Sequence, residues 1–480
     1  MKLVVKYLIV LFLAIVFQAC VAPKVADIKQ AKPLPEIIQE SQENQKEFEK
    51  LQLRTYFSDP HLLRLFDQVI AANPDYLIAQ QRVEIANSFL KQSKKNRLPS
   101  LEVGTIASGT RFGFYTMEGV GNFDTNLSSN ISEDQIINRN FTPNYWLGMR
   151  SNWEADVWGR LKNQSLAAQK RFMASQEGIR MLKMDLFTNV AVLYYELVKL
   201  DKNLTIYEEN YRLQLRAYEI TAAQRNVGKA TELAVQQLKA ENKNLEAEIE
   251  HLKVEMISVE KALRSLIGSY DNEIVRGKNL LNSNFEVLNQ NIPIAEIVHS
   301  RPDVVAQFYD LEASRANAKA VRAAFFPRLQ FDNFVGYNSF SSETLFRPGS
   351  LAFQILGGLM VPVFQKGQLK QEFAVANSEQ EIAFLNYQKT VTNAYNELQA
   401  VLKQIEIYEK VLQLKQEEVL HLNRAIEVSN DLYATGYANY LELINARKNK
   451  LQADLDLLRF QEENTRNNIV LFKALGGSVE

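Results

Sequence analysis

The residue types that most often catalyse reactions or hold metals are few in this sequence. Its four histidines lie far apart: His61, His251, His299 and His421. None has a second histidine four residues away, as an HExxH metal site requires. Gly357 and Gly358 lie in an apolar stretch, and no phosphate-binding GxxxxGK motif follows them. We therefore predict no catalytic residues, no metal ligands and no cofactor.

The single cysteine, Cys20, ends an apolar N-terminal stretch. Two lysines precede the apolar residues 8–17, which is the layout of a secretory signal peptide. The residues that end it, Phe-Gln-Ala-Cys, resemble a lipobox, although Phe17 and Gln18 replace the usual leucine and small residue. We expect cleavage before Cys20 and lipidation of its thiol, which would anchor the mature chain to a membrane. The alternative is an ordinary secretory signal with an incidental cysteine.

Charge gives no sign of a polyanionic partner. The 55 basic and 56 acidic residues leave a net charge of −1, and the two signs are interspersed along the chain. We therefore predict no nucleic-acid partner.

A predicted helix runs directly into a predicted strand within residues 301–331. Val304, Phe308 and Leu311 have helical spacing, and Pro327 cannot continue the helix. From Leu329 onward, apolar and polar residues alternate as they do in a strand with two different faces.

The same layout occurs earlier, at residues 73–103. The two copies lie 228 residues apart and share identical residues at Pro74, Asp75, Glu84, Lys91, Pro99 and Leu101. Further motifs, around Gly159 and Gly228, recur 208 residues later. The difference in spacing arises between the two strands of each repeat, so the first repeat has a loop about 20 residues longer. The chain is an internal duplication.

Short motifs in a fixed order cover nearly all of the chain that follows the signal. They are Trp153-Glu-Ala-Asp-Val-Trp-Gly159-Arg160, the Gly228 turn, Arg301-Pro-Asp303, Ala323-Ala-Phe-Phe-Pro327, Val361-Pro-Val-Phe364, the Gly436 turn and Ala474-Leu-Gly-Gly477. The ordered set resembles the TolC-like outer-membrane efflux proteins, the exit ducts of tripartite pumps, and most closely their lipoprotein branch.

We predict a mixed α and β fold with four strands per chain and long helices. The strands are expected at about 100–113, 144–154, 329–340 and 350–361, and the long helices at 158–225, 231–267, 367–433 and 439–475. A helix is expected from about Pro60 to Arg97, and a polar loop at 122–130. The predicted domains are a signal peptide (1–19), a lipidated arm (20–59), repeat one (60–267), a linker (268–293), repeat two (294–475) and a tail (476–480).

No stretch after the signal is long and apolar enough to form a membrane-spanning helix. Spanning strands must close into a barrel, and four strands cannot close one of useful bore. The resemblance implies three chains, a shared barrel of twelve strands and a periplasmic coiled-coil tube of helices. The side chains that would then face lipid are Leu351, Phe353, Ile355, Leu359 and Val361.

Each repeat has a glycine turn between its two longest helices. In relatives such turns form the periplasmic tip that meets an adaptor protein, and the alternative is that glycine simply ends a helix. The predicted tip residues are Arg225, Val227, Gly228, Tyr433, Thr435 and Gly436.

The resemblance also implies bore-facing carboxylates just after the second turn. Counting from Gly436, Glu442 takes one such position, and Asn445 takes a second that is acidic in some relatives. Repeat one has Ala234 at the place equivalent to Glu442. The alternative is a capping box in which Glu442 accepts a hydrogen bond from the amide of Asn439.

These features together predict a lipid-anchored outer-membrane channel, the passive exit of an export system in a Gram-negative bacterium. The expected partners are two further copies of the chain, outer-membrane lipid, a periplasmic adaptor and an inner-membrane transporter that supplies the energy. The runner-up is a structural periplasmic coiled-coil lipoprotein without a pore. Alternating strands argue against it, because a spacer has no use for a lipid-facing stripe.

Overall fold

A computed structural model describes residues 23–25, 52–270, 273–277, 294–435 and 437–478. Cys20, Gly436 and most of the predicted linker lie outside the described residues. No helix within those ranges combines the length and the apolar character needed to cross a membrane.

The described elements follow the duplicated order expected from the sequence. They are α1 (Leu53–Tyr56), α2 (Pro60–Ala72), α3 (Pro74–Lys95), β1 (Glu102–Thr110), α4 (Met117–Asn126), β2 (Thr142–Ala155), α5 (Arg160–Asn226), α6 (Glu232–Ile267), α7 (Ile294–Ser300), α8 (Pro302–Ala323), β3 (Arg328–Ser339), β4 (Leu351–Met360), α9 (Gln368–Thr435) and α10 (Tyr440–Ala474). The four predicted strands and the four predicted long helices are confirmed.

The longest helices far exceed those of ordinary domains. Helix α5 has 67 residues, and at 1.5 Å per residue it is roughly 100 Å long. Helix α9 has 68 residues. Neither contains proline, so no residue lacks the amide that the helical ladder needs.

The strands form a single antiparallel sheet in the order β1-β2-β3-β4. Each repeat supplies one hairpin, β1 with β2 and β3 with β4, and the two repeats meet at the pairing of β2 with β3. Two glycines, Gly148 and Gly336, face each other there. A Cβ at Gly148 would lie 2.5 Å from the carbonyl oxygen of Val335, so the close approach of β2 and β3 requires glycine.

The expected polar loop at 122–130 is partly wrong, because Met117–Asn126 is helical. The hydroxyl of Thr116 caps the helix by accepting a hydrogen bond from the amide of Gly119. Asn126 then ties its end to Ile137, by donating to the carbonyl oxygen and accepting from the amide. These contacts stabilise a helix that its polar composition does not suggest.

The expected helix from Pro60 to Arg97 is also interrupted, at Asn73. The side chain of Asn73 accepts a hydrogen bond from the amide of Tyr76 and donates one to the carbonyl oxygen of Leu266. The residue before a proline avoids helical backbone angles, and Pro74 therefore begins a new helix rather than continuing the old one.

The chain divides into two compact units. One includes Ile85–Phe172 and Tyr309–Phe384 and contains the sheet; the other includes Met173–Phe308 and Leu385–Glu480 and is helical. In the helical unit the rings of Phe57, Phe187 and Phe472 pack together, with centroids 4.7 to 5.9 Å apart. All three are fully buried, and they join the first repeat to the last helix of the second.

Candidate functional site

One face of the sheet is apolar and open to its surroundings. Val103, Met149, Val335 and Phe353 are direct neighbours across the four strands, and directly paired residues share a face. Their exposures are 74%, 45%, 49% and 77%. The row beside them consists of Thr105, Leu147, Tyr337 and Leu351. Such a continuous exposed apolar surface is typical of a surface that another apolar phase covers.

The expected lipid-facing residues of the last strand lie on this face, with one exception. Leu351, Phe353, Ile355 and Leu359 are all exposed. Val361 follows the strand, which ends at Met360. The neighbouring strand β3 begins at Arg328, immediately after Pro327, and Arg328 pairs with Met360. No residue of β3 is therefore left to pair with Val361.

A groove of about 560 Å³ crosses the apolar face. Its lining includes Ser151 and Asn333, which pair with each other between two rows of larger side chains. The larger groups around it include Met149, Trp153, Phe331, Val335, Phe353 and Ile355. Because Ser151 and Asn333 are smaller than their neighbours, a depression forms above them, and apolar side chains surround it.

The opposite face is polar. One of its rows contains Glu102, Arg150, Phe334 and Gln354. The side-chain amide of Asn338 donates to Asn144 on the neighbouring strand at 2.8 Å. Asn152 donates to the carboxylate of Asp332 across the strands. A sheet with one apolar and one hydrated face fits a boundary between lipid and water.

Both outer strands of the sheet have an unpaired edge. Among the described residues, β1 pairs only with β2, and β4 pairs only with β3. These edges are nine and ten residues long. Their backbone N–H and C=O groups need partners, and a long exposed edge is a template for another strand.

The first predicted tip turn has the expected glycine geometry. Gly228 adopts φ 75°, the left-handed conformation that favours glycine. Arg225 forms an ion pair of 2.6 Å with Glu232 across the turn. A hydrogen bond from Gln236, together with Arg225, holds the pKa of Glu232 below its usual value. Val227 is exposed at the end of the turn.

The structure brings the second turn next to the first, although Gly436 itself lies outside the described residues. The hydroxyl of Tyr433 donates to the side chain of Gln224, at 2.9 Å. Thr435 donates to the carbonyl oxygen of Asp431 within its own helix. On the other side of the turn, the hydroxyl of Tyr440 donates to Gln237 at 2.7 Å.

Glu442 and Asn445 both lie exposed near the start of α10. The side chain of Asn439 caps this helix by accepting from the amides of Leu441 and Glu442, at 2.9 and 3.2 Å. The reciprocal bond, from the Asn439 amide to the Glu442 carboxylate, does not occur among the described contacts. Asn439 thus caps the helix alone, and the Glu442 carboxylate is not used for capping.

Sequence reasoning missed Arg447, a further residue near the turns. Its guanidinium donates to the carbonyl oxygen of Leu213 at 3.2 Å and to the side chain of Asn430 at 3.3 Å. Burial lowers the pKa of Arg447 from its ordinary value. Through these two hydrogen bonds, Arg447 links α10 to both α5 and α9. The sequence contains 55 basic residues, and nothing in the spacing of Arg447 distinguishes it from the others.

Comparison with known proteins identifies the family to which this chain belongs. The family model described as outer membrane efflux protein matches residues 65–269 and 294–477. The chain belongs to the outer membrane efflux protein family. The predicted function, an outer-membrane exit channel of an efflux system, is confirmed, as are the location and the mixed, duplicated fold. This is a family of transport proteins rather than enzymes.

Similar members of the family come from several bacteria. The cation efflux system protein CusC of Escherichia coli strain CFT073 is 25% identical over 426 residues, which cover 88% of this chain and 87% of CusC. The probable outer membrane lipoprotein SilC of Salmonella typhimurium is 25% identical over 429 residues, with the same coverage. The CmeC outer membrane channel of Campylobacter jejuni has the same fold, with a TM-score of 0.79 and 22% identity over 96% of this chain and 95% of CmeC.

The orientation of the sheet in this outer-membrane efflux protein can be tested with paired substitutions. Phe353→Arg places a charge on the apolar face and should destabilise the inserted state by about 2–4 kcal/mol. Gln354→Arg is the matched control, because the neighbouring residue lies on the polar face. The folded fraction in membranes can be measured by comparing the gel mobility of heated and unheated samples. We expect it to fall only for Phe353→Arg. Equal losses for the two variants would contradict the assignment of the faces.

Proposed function

We propose that three copies of this chain share one barrel and so form a passive exit channel through the outer membrane. The observation that carries the proposal is the pair of unpaired edges on a sheet with one apolar face. A spanning strand must satisfy every backbone group, because lipid offers no hydrogen bonds. Pairing β1 of one copy with β4 of the next would close twelve strands and leave no edge.

The long helices support the same assembly. Exposed apolar residues recur seven positions apart on α5 and α9, in the pairs Leu213 and Ile220, Val375 and Ile382, and Ile407 and Leu414. A seven-residue repeat is typical of a coiled-coil seam. Within a single chain these seams are uncovered, and we infer that helices of neighbouring copies cover them. The runner-up function, a spacer without a pore, explains the seams but not the two-faced sheet.

We further infer that the channel works with a periplasmic adaptor and an inner-membrane transporter that supplies the energy. The adaptor would contact the paired turns at Arg225, Val227, Gly228, Tyr433, Thr435 and Gly436. The exposed side chain of Val227 and the hydrogen bond between Tyr433 and Gln224 support this assignment. Val227 offers the adaptor an accessible apolar side chain, and the hydrogen bond between Tyr433 and Gln224 holds the turns of the two repeats together. We expect no catalytic activity and no cofactor.

Glu442 and Asn445 would line the narrowest part of the bore, next to those turns. Both are exposed in the single chain, and the Glu442 carboxylate takes no part in capping. Three copies of Glu442 at one level would attract cations and repel each other.

The shared barrel can be tested by disulfide trapping. Single cysteines on the apolar face of β1, at Val103, Thr105, Ala107 and Gly109, are combined in turn with cysteines on the same face of β4, at Leu351, Phe353, Ile355 and Leu359, because the strands of a closed barrel are staggered. Within one chain β1 and β4 are separated by two strands, or about 14 Å, which is too far for a disulfide. We expect at least one pair to give covalently linked trimers on oxidation, seen on a denaturing gel. The matched control, Met149→Cys with Phe353→Cys, should give none because Met149 is not on an edge. Failure of every edge pair in folded protein would refute the shared barrel.

The lipid anchor can be tested at Cys20, which lies outside the described residues. We propose that the signal is removed before Cys20 and that its thiol carries lipid, in line with the name of the similar lipoprotein SilC. Mass spectrometry of the mature protein should show acyl chains on its first residue, and Cys20→Ser should abolish them. An unmodified N-terminus in the wild-type protein would show that the cysteine is incidental.

The bore-facing role of Glu442 can be tested by changing charge in both directions. Glu442→Gln removes up to three negative charges from a trimer, so we expect cation selectivity to fall in single-channel recordings. Asn445→Asp adds three at a neighbouring level and should raise it. If neither substitution changes the reversal potential in a salt gradient, these residues do not line the conducting path.

A further inference from the structure

Three side chains form a cluster on the polar face of the sheet. Trp146 and Arg150 lie four residues apart on β2, and Phe334 lies on β3 as the direct neighbour of Arg150. The guanidinium carbon of Arg150 is 4.4 Å from the centre of the Trp146 ring. The rings of Trp146 and Phe334 are 4.9 Å apart and tilted by 38°. We call these three residues the Trp146 cluster.

Trp146 has an unusual combination of burial and unused polarity. Only 7% of it is exposed, although it belongs to a single-layer sheet. The other two tryptophans donate their indole N–H to backbone carbonyl oxygens, at Arg97 and Pro327. Within the described part of the chain, the indole N–H of Trp146 has no acceptor. The indole nitrogen is not among the buried atoms that lack a partner, so it is accessible, and a ligand atom can accept a hydrogen bond from it.

Arg150 also has binding capacity to spare. It is exposed, and among the described residues it forms no ion pair, even with Glu102 in the same row of the sheet. Its guanidinium has five N–H donors arranged in a plane, which suits a carboxylate or sulfonate. Stacking on Trp146 holds one face of the guanidinium and leaves its edge free.

A strip without bulky side chains lies beside the cluster. Gly104, Gly148, Gly336 and Ala352 are direct neighbours across all four strands, in the row next to Arg150 and Phe334. A Cβ at Gly336 would lie 2.3 Å from the carbonyl oxygen of Leu147, so this position cannot carry a larger side chain without a shift of the backbone. The rings of Trp146 and Phe334 lie over this row: a Cβ at Gly148 would lie 2.9 Å from the Phe334 ring, and a Cβ at Gly104 would lie 3.4 Å from the Trp146 ring.

We propose that the Trp146 cluster is a binding subsite for aromatic anions inside the channel. The anionic group would accept hydrogen bonds from the Arg150 guanidinium and the Trp146 indole. The flat ring would stack against the exposed part of the Phe334 ring. The subsite rests on the proposed function, since the polar face becomes the wall of the bore only when copies of the sheet close into a barrel.

The chemistry of the cluster selects this class of ligand over others. A cation would be repelled by Arg150, which has no carboxylate partner. An aliphatic anion would pair with Arg150 but would gain nothing from the aromatic edges. Binding has to be weak enough for release, and an accessible site with one cation and two rings meets that condition. A trimer would carry three such subsites at one level of the bore.

The test uses naphthalene-2-sulfonate as the probe and the full-length protein in planar bilayers. We expect brief blockades of the single-channel current, with an apparent affinity that falls about tenfold for Arg150→Gln, because the ligand loses one charge-assisted contact. Arg328→Gln is the matched control. It removes the same charge from the same face of the sheet, but Arg328 has no cation–π contact within the described residues. The neutral probe 2-naphthalenemethanol should block far less.

A second measurement separates the subsite from the channel. Binding of naphthalene-2-sulfonate to detergent-solubilised protein, followed by calorimetry, should weaken for both Arg150→Gln and Trp146→Phe, which retains a ring but lacks the N–H. Equal weakening by Arg150→Gln and Arg328→Gln, or equal binding of the neutral probe, would overturn the proposal. Normal conductance with neither blockade nor binding would also overturn it, while leaving the channel function intact. Absence of any conductance would instead count against the shared barrel.

Discussion

The constraint on which the rest of this structure depends is the hydrogen-bonding demand of two sheet edges. A four-stranded sheet that exposes apolar side chains on one face cannot satisfy its outer backbone groups within lipid by itself. Within the described part of the chain, the edges of β1 and β4 are long and unpaired, and neither strand contains a proline that would block pairing. Natural proteins rarely leave such edges open. We therefore propose that the sheet is one third of a closed structure.

The same constraint gives the two faces of the sheet their separate roles. Alternation along each strand places Met149 and Phe353 on the apolar face and Arg150 and Gln354 on the polar one. A shift of register by one residue would exchange the faces. The glycine contact between Gly148 and the neighbouring strand fixes the register at the junction of the two repeats. Packing within the sheet thus determines which side chains share the apolar face and which share the polar one.

Much of the fold could be predicted from the sequence because its signals are local. Alternation marked the strands, and proline and glycine marked the ends of helices, so the predicted boundaries lie within a few residues of the observed ones. Because the chain is duplicated, the pattern of each element could be compared with its second copy. Helix α4 was missed because its polar composition does not suggest a helix. The break at Asn73 was missed although Pro74 is a local signal for it, and a contact with the distant Leu266 stabilises it.

The candidate site was less predictable for a related reason. Duplication equates Glu442 with Ala234, but Glu442 is exposed and Ala234 is fully buried. The two repeats have the same order of helices and strands, but equivalent positions in them have different neighbours and different exposure. Likewise Arg150 and Trp146 are ordinary strand residues in the sequence, and only the pairing of β2 with β3 places Phe334 beside them. Spacing predicts an element, whereas a site depends on which elements become neighbours.

The number of copies in the folded assembly tests the central claim most directly. Native mass spectrometry of the protein, released from detergent micelles, weighs that assembly without any substitution. The account predicts a single species with three times the mass of the mature chain, which stays intact until the sheet unfolds. A folded monomer whose circular dichroism shows the full content of helix and strand would contradict it, because its two strand edges would then be stable without partners.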